Sequence, residues 1–263
     1  MDINTDNIFS PSRTMWLMKK YFIENRGTLL MSGAFVTLVM TLIAVINGLS
    51  TMHGSYPDSG IGTEIGFMLV AFGFTGSLIA SSAFRQMWDS KSATGVLMTP
   101  ATAFEQCLVR WIAVVPAFIL WSLASAMFAD MVKYLTANYI FGGEVCMIPW
   151  LRILGVVEIE AAVNIYLVLL IFLVNQSFYF LGSVVWRKHN FVKTFFVVGL
   201  LFMIYFCASA MVADSYTNPG YVSMGGRDFI LYAPFQILLW LTVIINYTLT
   251  VMRLRESEII HRR

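Results

Sequence analysis

The chain has 263 residues, of which 58% are hydrophobic, 15% aromatic and only 12% charged, with a net charge of +2. The net charge says little, because the signal lies in its distribution. The basic residues rim apolar segments instead of forming one stripe, which argues against nucleic-acid binding. Cys107, Cys146 and Cys207 fall in three different surroundings and give neither a disulfide framework nor a metal-ligand spacing.

Six apolar stretches dominate: Leu29 to Leu49, Ile65 to Phe84, Trp111 to Ala129, Ala161 to Val185, Thr194 to Ala213 and Phe229 to Met252. Each is close to the roughly 20 residues a helix needs to cross a hydrocarbon core of about 30 Å. None contains Asp, Glu, Lys, Arg or His. The pattern predicts an all-α, polytopic membrane protein with six transmembrane helices in a single domain over residues 1–263. Arg13, Lys19, Lys20 and Arg26 precede the first stretch, and Arg85, Lys91 and Arg110 follow the second. Arg187, Lys188 and Lys193 follow the fourth, and Arg253, Arg255, Arg262 and Arg263 close the chain. Only Lys133, Arg152 and Arg227 lie in the alternate loops. Lys and Arg favour cytoplasmic placement, so both termini are expected in the cytoplasm. The first stretch is too long for a signal-peptide core and lacks a small-residue cleavage site, so it reads as an uncleaved anchor.

Before the first crossing, Ser10-Pro11 reads as an N-cap followed by proline at the first helical position. In residues 10–26, Arg13, Lys20 and Glu24 cluster on one side of a helix rich in Met15, Trp16, Leu17, Met18, Phe22 and Ile23. This predicts an amphipathic interfacial helix on the cytoplasmic leaflet, the alternative being a plain extension of the first crossing. In the loop over 85–99, Met87, Trp88, Val96, Leu97 and Met98 leave apolar side chains in polar surroundings. They suit either a short helix docking on a partner or a position in the headgroup zone. Thr99-Pro100 and Thr102 to Glu105 supply an N-cap, a first-turn proline and a capping box for the third helix, and Pro116 should bend it.

Asp130 to Glu160 and Asp214 to Asp228 read as loops on the opposite side, with turn signals at Gly142-Gly143, Asn218-Pro219-Gly220 and Gly225-Gly226. Small residues recur at Gly33, Thr37, Thr41, Ala44 and Gly48, and at Gly62, Gly66, Gly73, Ser77 and Ala80. Both stripes predict close helix packing within the chain. Asn164, Asn175, Gln176, Gln236 and Asn246 are polar amides at depth. They are candidates for lining a pathway or for interhelical hydrogen bonds. The spans lack the ionisable groups of an ion-coupled carrier and the constellations of an intramembrane protease. No lysine follows a glycine, so a Walker A phosphate loop is absent. No residue reads as catalytic, cofactor-binding or metal-ligating.

The segments SPSRTMWLMKKYFIENRG (10–27), TPATAFEQCLVR (99–110) and FLGSVVWRKHNFVKT (180–194), in this topology, resemble the permease subunits of type-2 ABC transporters. The resemblance implies a connecting helix at Arg13 to Asn25 and a coupling helix near Arg85 to Met98 seated on a separate ATPase. It also implies an extracytoplasmic gate at Asp214 to Tyr232, a segment shorter here than the family pattern. It further implies a bacterial cytoplasmic membrane protein that works as a dimer with a second copy or a related permease. ATP and magnesium would be held by the ATPase partner, and an amphipathic or hydrophobic substrate would be exported. The competing reading is a non-transporting scaffold that recruits a cytoplasmic partner through the same loop.

Overall fold

The computed structural model describes residues 9–51, 59–88, 102–142, 145–150, 159–186, 188–216 and 227–260. Among them the chain is helical, with no strand. The helices are α1 (Pro11–Glu24), α2 (Arg26–Thr51), α3 (Ser59–Ser82), α4 (Arg85–Trp88), α5 (Ala103–Val114) and α6 (Pro116–Leu135). They are followed by a π-helical turn (Thr136–Ile140), α7 (Ile159–Val185), α8 (Asn190–Tyr216) and α9 (Arg227–Ile260). Among the described residues five segments are long and apolar enough to cross a membrane: 26–50, 61–82, 103–140, 165–185 and 236–256. In α8 the apolar residues Asn190–Met203 are those whose side chains are described, and the helix itself continues to Tyr216. This is the make-up of a multi-pass helical membrane protein. Residues 1–80 and 97–169 form one compact unit, and residues 81–96 and 170–263 form another.

In the first unit, local chemistry sets the helix ends. Ser10 precedes α1 with Pro11 at the first helical position, as the sequence predicts. Its side chain does not cap, however, and its backbone N–H donates to Glu105 Oε1 instead. Asn25 (φ −99°, ψ 8°) separates α1 from α2, so the two are distinct helices. At α5 the capping box forms in full: Glu105 N–H donates to Thr102 Oγ1 at 3.3 Å, and Thr102 N–H to Glu105 Oε2 at 3.1 Å. Thr99 and Pro100 lie outside the described residues. The predicted bend appears at Val115 (φ −99°, ψ −74°), with Pro116 beginning α6. Proline has no N–H to give the carbonyl four residues back, and its ring crowds that turn.

The inward face of α2 is Gly33, Val36, Met40, Ala44 and Gly48, with Thr37 and Thr41 half-buried beside it. It packs along α6. Trp121 Nε1–H donates to the Gly33 carbonyl at 3.0 Å, Thr37 and Ser125 hydroxyls are 2.8 Å apart, and a Cβ on Gly48 would stand 2.7 Å from Lys133 Cγ. Both sets of numbers rise together, so α2 and α6 are parallel. The small stripe of α2 thus serves internal packing. The stripe of α3 does so only in its second half. Ser77 and Ala80 are buried, but Gly62 and Gly66 are exposed, and no described atom lies within 4 Å of a Cβ placed on Gly62, Gly66 or Gly73. The inward face of α3 is instead Glu64, Met68, Ala71 and Thr75.

The second unit is held by aromatic and polar contacts between helices. Phe180 meets Phe84 and Tyr247 edge to face at centroid distances of 5.1 and 5.7 Å, a favoured geometry for aromatic pairs. Gly182 of α7 admits the side chain of Thr194 on α8 so closely that a Cβ there would collide with it. Asn190 Nδ2 donates to the Ser81 carbonyl. The turn between α7 and α8 carries His189 at φ +54°.

Candidate functional site

The first unit gathers its ionisable groups at two ends. At one end, α1 lies on the start of α5. Glu105 is fully buried, and its Oε1 accepts from Arg13 Nε at 3.0 Å, from Arg13 Nη2 at 2.8 Å and from Ser10 N–H at 2.9 Å. Its Oε2 completes the capping box. One carboxylate therefore caps α5 and clasps the beginning of α1. Arg110 follows one and a half turns later, buried, with Nη1 3.4 Å from Gln106 Oε1. Burial raises the Tyr21 phenol above its ordinary range, while Arg110 draws it the other way.

At the opposite end stands a cluster that the sequence places in a loop. Lys133 is 2% exposed, Glu64 3% and Asp130 1%. Lys133 Nζ donates to Glu64 Oε2 at 2.8 Å. It also lies 2.7 Å from Asp130 Oδ1, an ion-pair distance without hydrogen-bond alignment. Asp130 Oδ2 accepts from the Ile148 N–H and from Trp150 Nε1–H, both at 3.0 Å. Asp130 thus fastens the segment 145–150 to α6. Glu64 Oε1 is buried without a hydrogen-bond partner among the described residues. The expected loop from Asp130 is corrected: α6 continues to Leu135 and the π-helical turn to Ile140. The Lys133 ammonium between two carboxylates lets the helices carry these groups while excluded from water. The predicted spans hold no ionisable group, but the helices outrun the spans.

Between the two ends, Arg110 and Asp130 are 20 positions apart on α5–α6, which at 1.5 Å per residue is about 30 Å. That is the thickness of a bilayer's hydrocarbon core. The charge clusters bracket an uncharged apolar layer of membrane width.

The amide candidates fare differently. Asn246 Nδ2 donates to Ser177 Oγ at 2.9 Å, joining α9 to α7. Gln176 is fully buried, with neither side-chain atom hydrogen-bonded among the described residues. Asn175 and Gln236 are half-buried. The Asn164 side chain lies outside the described residues. Of the partner-docking candidates, Met87 is half-buried in α4, and Trp88 ends that helix with its side chain outside the described residues. Val96, Leu97 and Met98 lie outside the described residues altogether, so these five are not seen brought together. The same is true of most of the proposed gate. Helix α8 extends to Tyr216 and α9 begins at Arg227, so both ends of the predicted loop are helical. No three His, Cys, Asp or Glu side chains assemble as a metal site among the described residues.

Comparison with protein-family models, with curated proteins and with solved structures found no match. The chain's function therefore rests on its own chemistry.

Proposed function

We propose that this chain is the membrane-spanning permease subunit of a type-2 ABC transporter. In this reading it has six crossings, an interfacial α1 and both termini in the cytoplasm. It forms a translocation pathway as a dimer and takes its energy from a separate ATPase. The observation that carries the reading is the alternation of basic residues across the apolar stretches, fourteen of the 17 Lys and Arg falling on one side. Parallel packing of α2 and α6 supports it, since the first and third of six crossings must run in the same direction. The clasp of Arg13 on Glu105 supports it further. Residues 85–99 are where the ATPase would press, and Thr102 with its capping box follows them closely in sequence. Displacement there would reach α1 through one carboxylate. ATP-driven closure of the partner subunits would then favour one of two pathway conformations through differential affinity. A hydrophobic or amphipathic exported substrate, in a bacterial cytoplasmic membrane, completes the proposal.

The test is purification from native membranes in mild detergent, with mass spectrometry of what remains bound. A stoichiometric ATPase subunit bearing a Walker A motif is expected. Trp88→Asp or Leu97→Asp should release it and leave the membrane domain folded. A preparation free of any ATPase, repeated after crosslinking, would replace the transporter by a membrane scaffold.

A further inference from the structure

At the elbow between α1 and α2 lies a cavity of about 320 Å³, walled by Phe22, Arg26, Gly33, Ala117, Phe118 and Trp121 among others. That volume falls within the roughly 300–1,000 Å³ of ligand pockets. Almost every group facing it is carbon. Ser32 Oγ is engaged with the Leu29 carbonyl at 2.9 Å. The indole N–H of Trp121 is engaged with the Gly33 carbonyl, so the ring offers only its apolar surface. A polar metabolite would leave its donors and acceptors facing carbon here, which is unfavourable.

Arg26 is the exception. It is the first residue of α2 and exposed. Of the cations on α1, Arg13 pairs with Glu105, Lys20 lies 3.8 Å from Glu24, and Lys19 stands over the Trp16 ring. Arg26 makes no ion pair among the described residues. Gly33, against which Trp121 rests, is seven residues further along α2, about 10 Å deeper. A guanidinium at the rim of an apolar recess matches an anionic headgroup carrying an alkyl chain, and arginine's planar fork suits phosphate oxygens.

We propose that this cavity holds one acyl chain of an anionic phospholipid, with its phosphate on Arg26. The site does not depend on which protein partner drives the chain, and its failure would leave the transporter reading untouched.

The probe is phosphatidylglycerol with brominated acyl chains, since bromine quenches an indole in contact with it. The full chain and its Trp121→Phe variant are reconstituted into phosphatidylcholine vesicles, and their difference isolates the Trp121 emission. Brominated phosphatidylglycerol should quench that component at about fivefold lower mole fraction than brominated phosphatidylcholine. That ratio corresponds to about 1 kcal/mol for one basic residue at an anionic surface. Arg26→Gln, a change at an exposed position, should abolish the preference, and Ala117→Phe should reduce quenching by both lipids. Equal quenching by the two lipids in the unmodified chain would overturn the proposal. So would a preference that survives Arg26→Gln.

Discussion

Arg13 and Glu105 stand 92 positions apart in sequence, and the guanidinium gives two N–H groups to a single carboxylate oxygen. The two partners are not equivalent. The Arg13 side chain is 32% exposed and that of Glu105 0%. Arg13→Ala removes a pair that water partly screens, and should cost about 1 kcal/mol or less. Glu105→Ala also strands the Ser10 and Thr102 N–H groups and removes a cap, and should cost about 2–4 kcal/mol. Thermal unfolding of both variants in one detergent checks the order. Equal costs would mean that the carboxylate does no more than pair with Arg13.

The buried ammonium makes a sharper case. Lys133→Met leaves Glu64 and Asp130 facing each other without a counter-charge, and should cost about 3–5 kcal/mol. Adding Glu64→Gln removes one of the stranded charges, so the double variant should be more stable than the sum of the two single losses by about 1–3 kcal/mol. A double-mutant cycle on unfolding midpoints measures this, and strict additivity would show that Glu64 and Lys133 do not act as a unit.

Two glycines in similar sequence settings should respond in opposite ways. A Cβ on Gly33 would stand 2.7 Å from the Trp121 ring, whereas one on Gly62 meets nothing within 4 Å. Gly33→Ala should cost about 1–3 kcal/mol through overpacking. Gly62→Ala should be neutral or mildly stabilising through helix propensity. Expression level and unfolding temperature together distinguish them, and a harmless Gly33→Ala would contradict the close approach of α2 and α6.

Orientation is checked by single cysteines at Ser90 and Ser223 in a chain stripped of Cys107, Cys146 and Cys207. A membrane-impermeant thiol reagent should reach them from opposite sides. Labelling from the same side would overturn the six-crossing arrangement.

Features written in contiguous residues were legible before the structure. The capping box needs only Thr102 and Glu105, and the bend needs only Pro116, so local stereochemistry decides both. The apolar stretches likewise announced their helices. What sequence could not place were groups whose partners are remote. Asp130 and Lys133 read as loop residues because the uncharged stretch ends at Ala129 and the second carboxylate on the Lys133 ammonium, Glu64, is 69 positions away from it. The same limit hid the second role of Glu105, since a capping box gives no hint of the arginine clasped on it. It also made the two small-residue stripes look alike, although only the one on α2 has a partner along its length. Lys133 and Asp130 did carry one faint signal: their i, i+3 spacing, on an apolar background, sets opposite charges on one helical face.

Asp130 has two oxygens with different duties, one toward the Lys133 ammonium and the other toward the Ile148 and Trp150 N–H groups. A single side chain therefore holds the loop and balances the buried charge, and it cannot let go of one without disturbing the other. Pulling residues 145–150 away would leave Asp130 short of donors and shift its attraction for Lys133. Any change in that lysine's pairing would in turn be felt by the loop. The segment 145–150 and the interior of the helix pair are thus thermodynamically linked, so that a ligand, an antibody or a neighbouring subunit gripping the loop would register at Glu64, on a different helix.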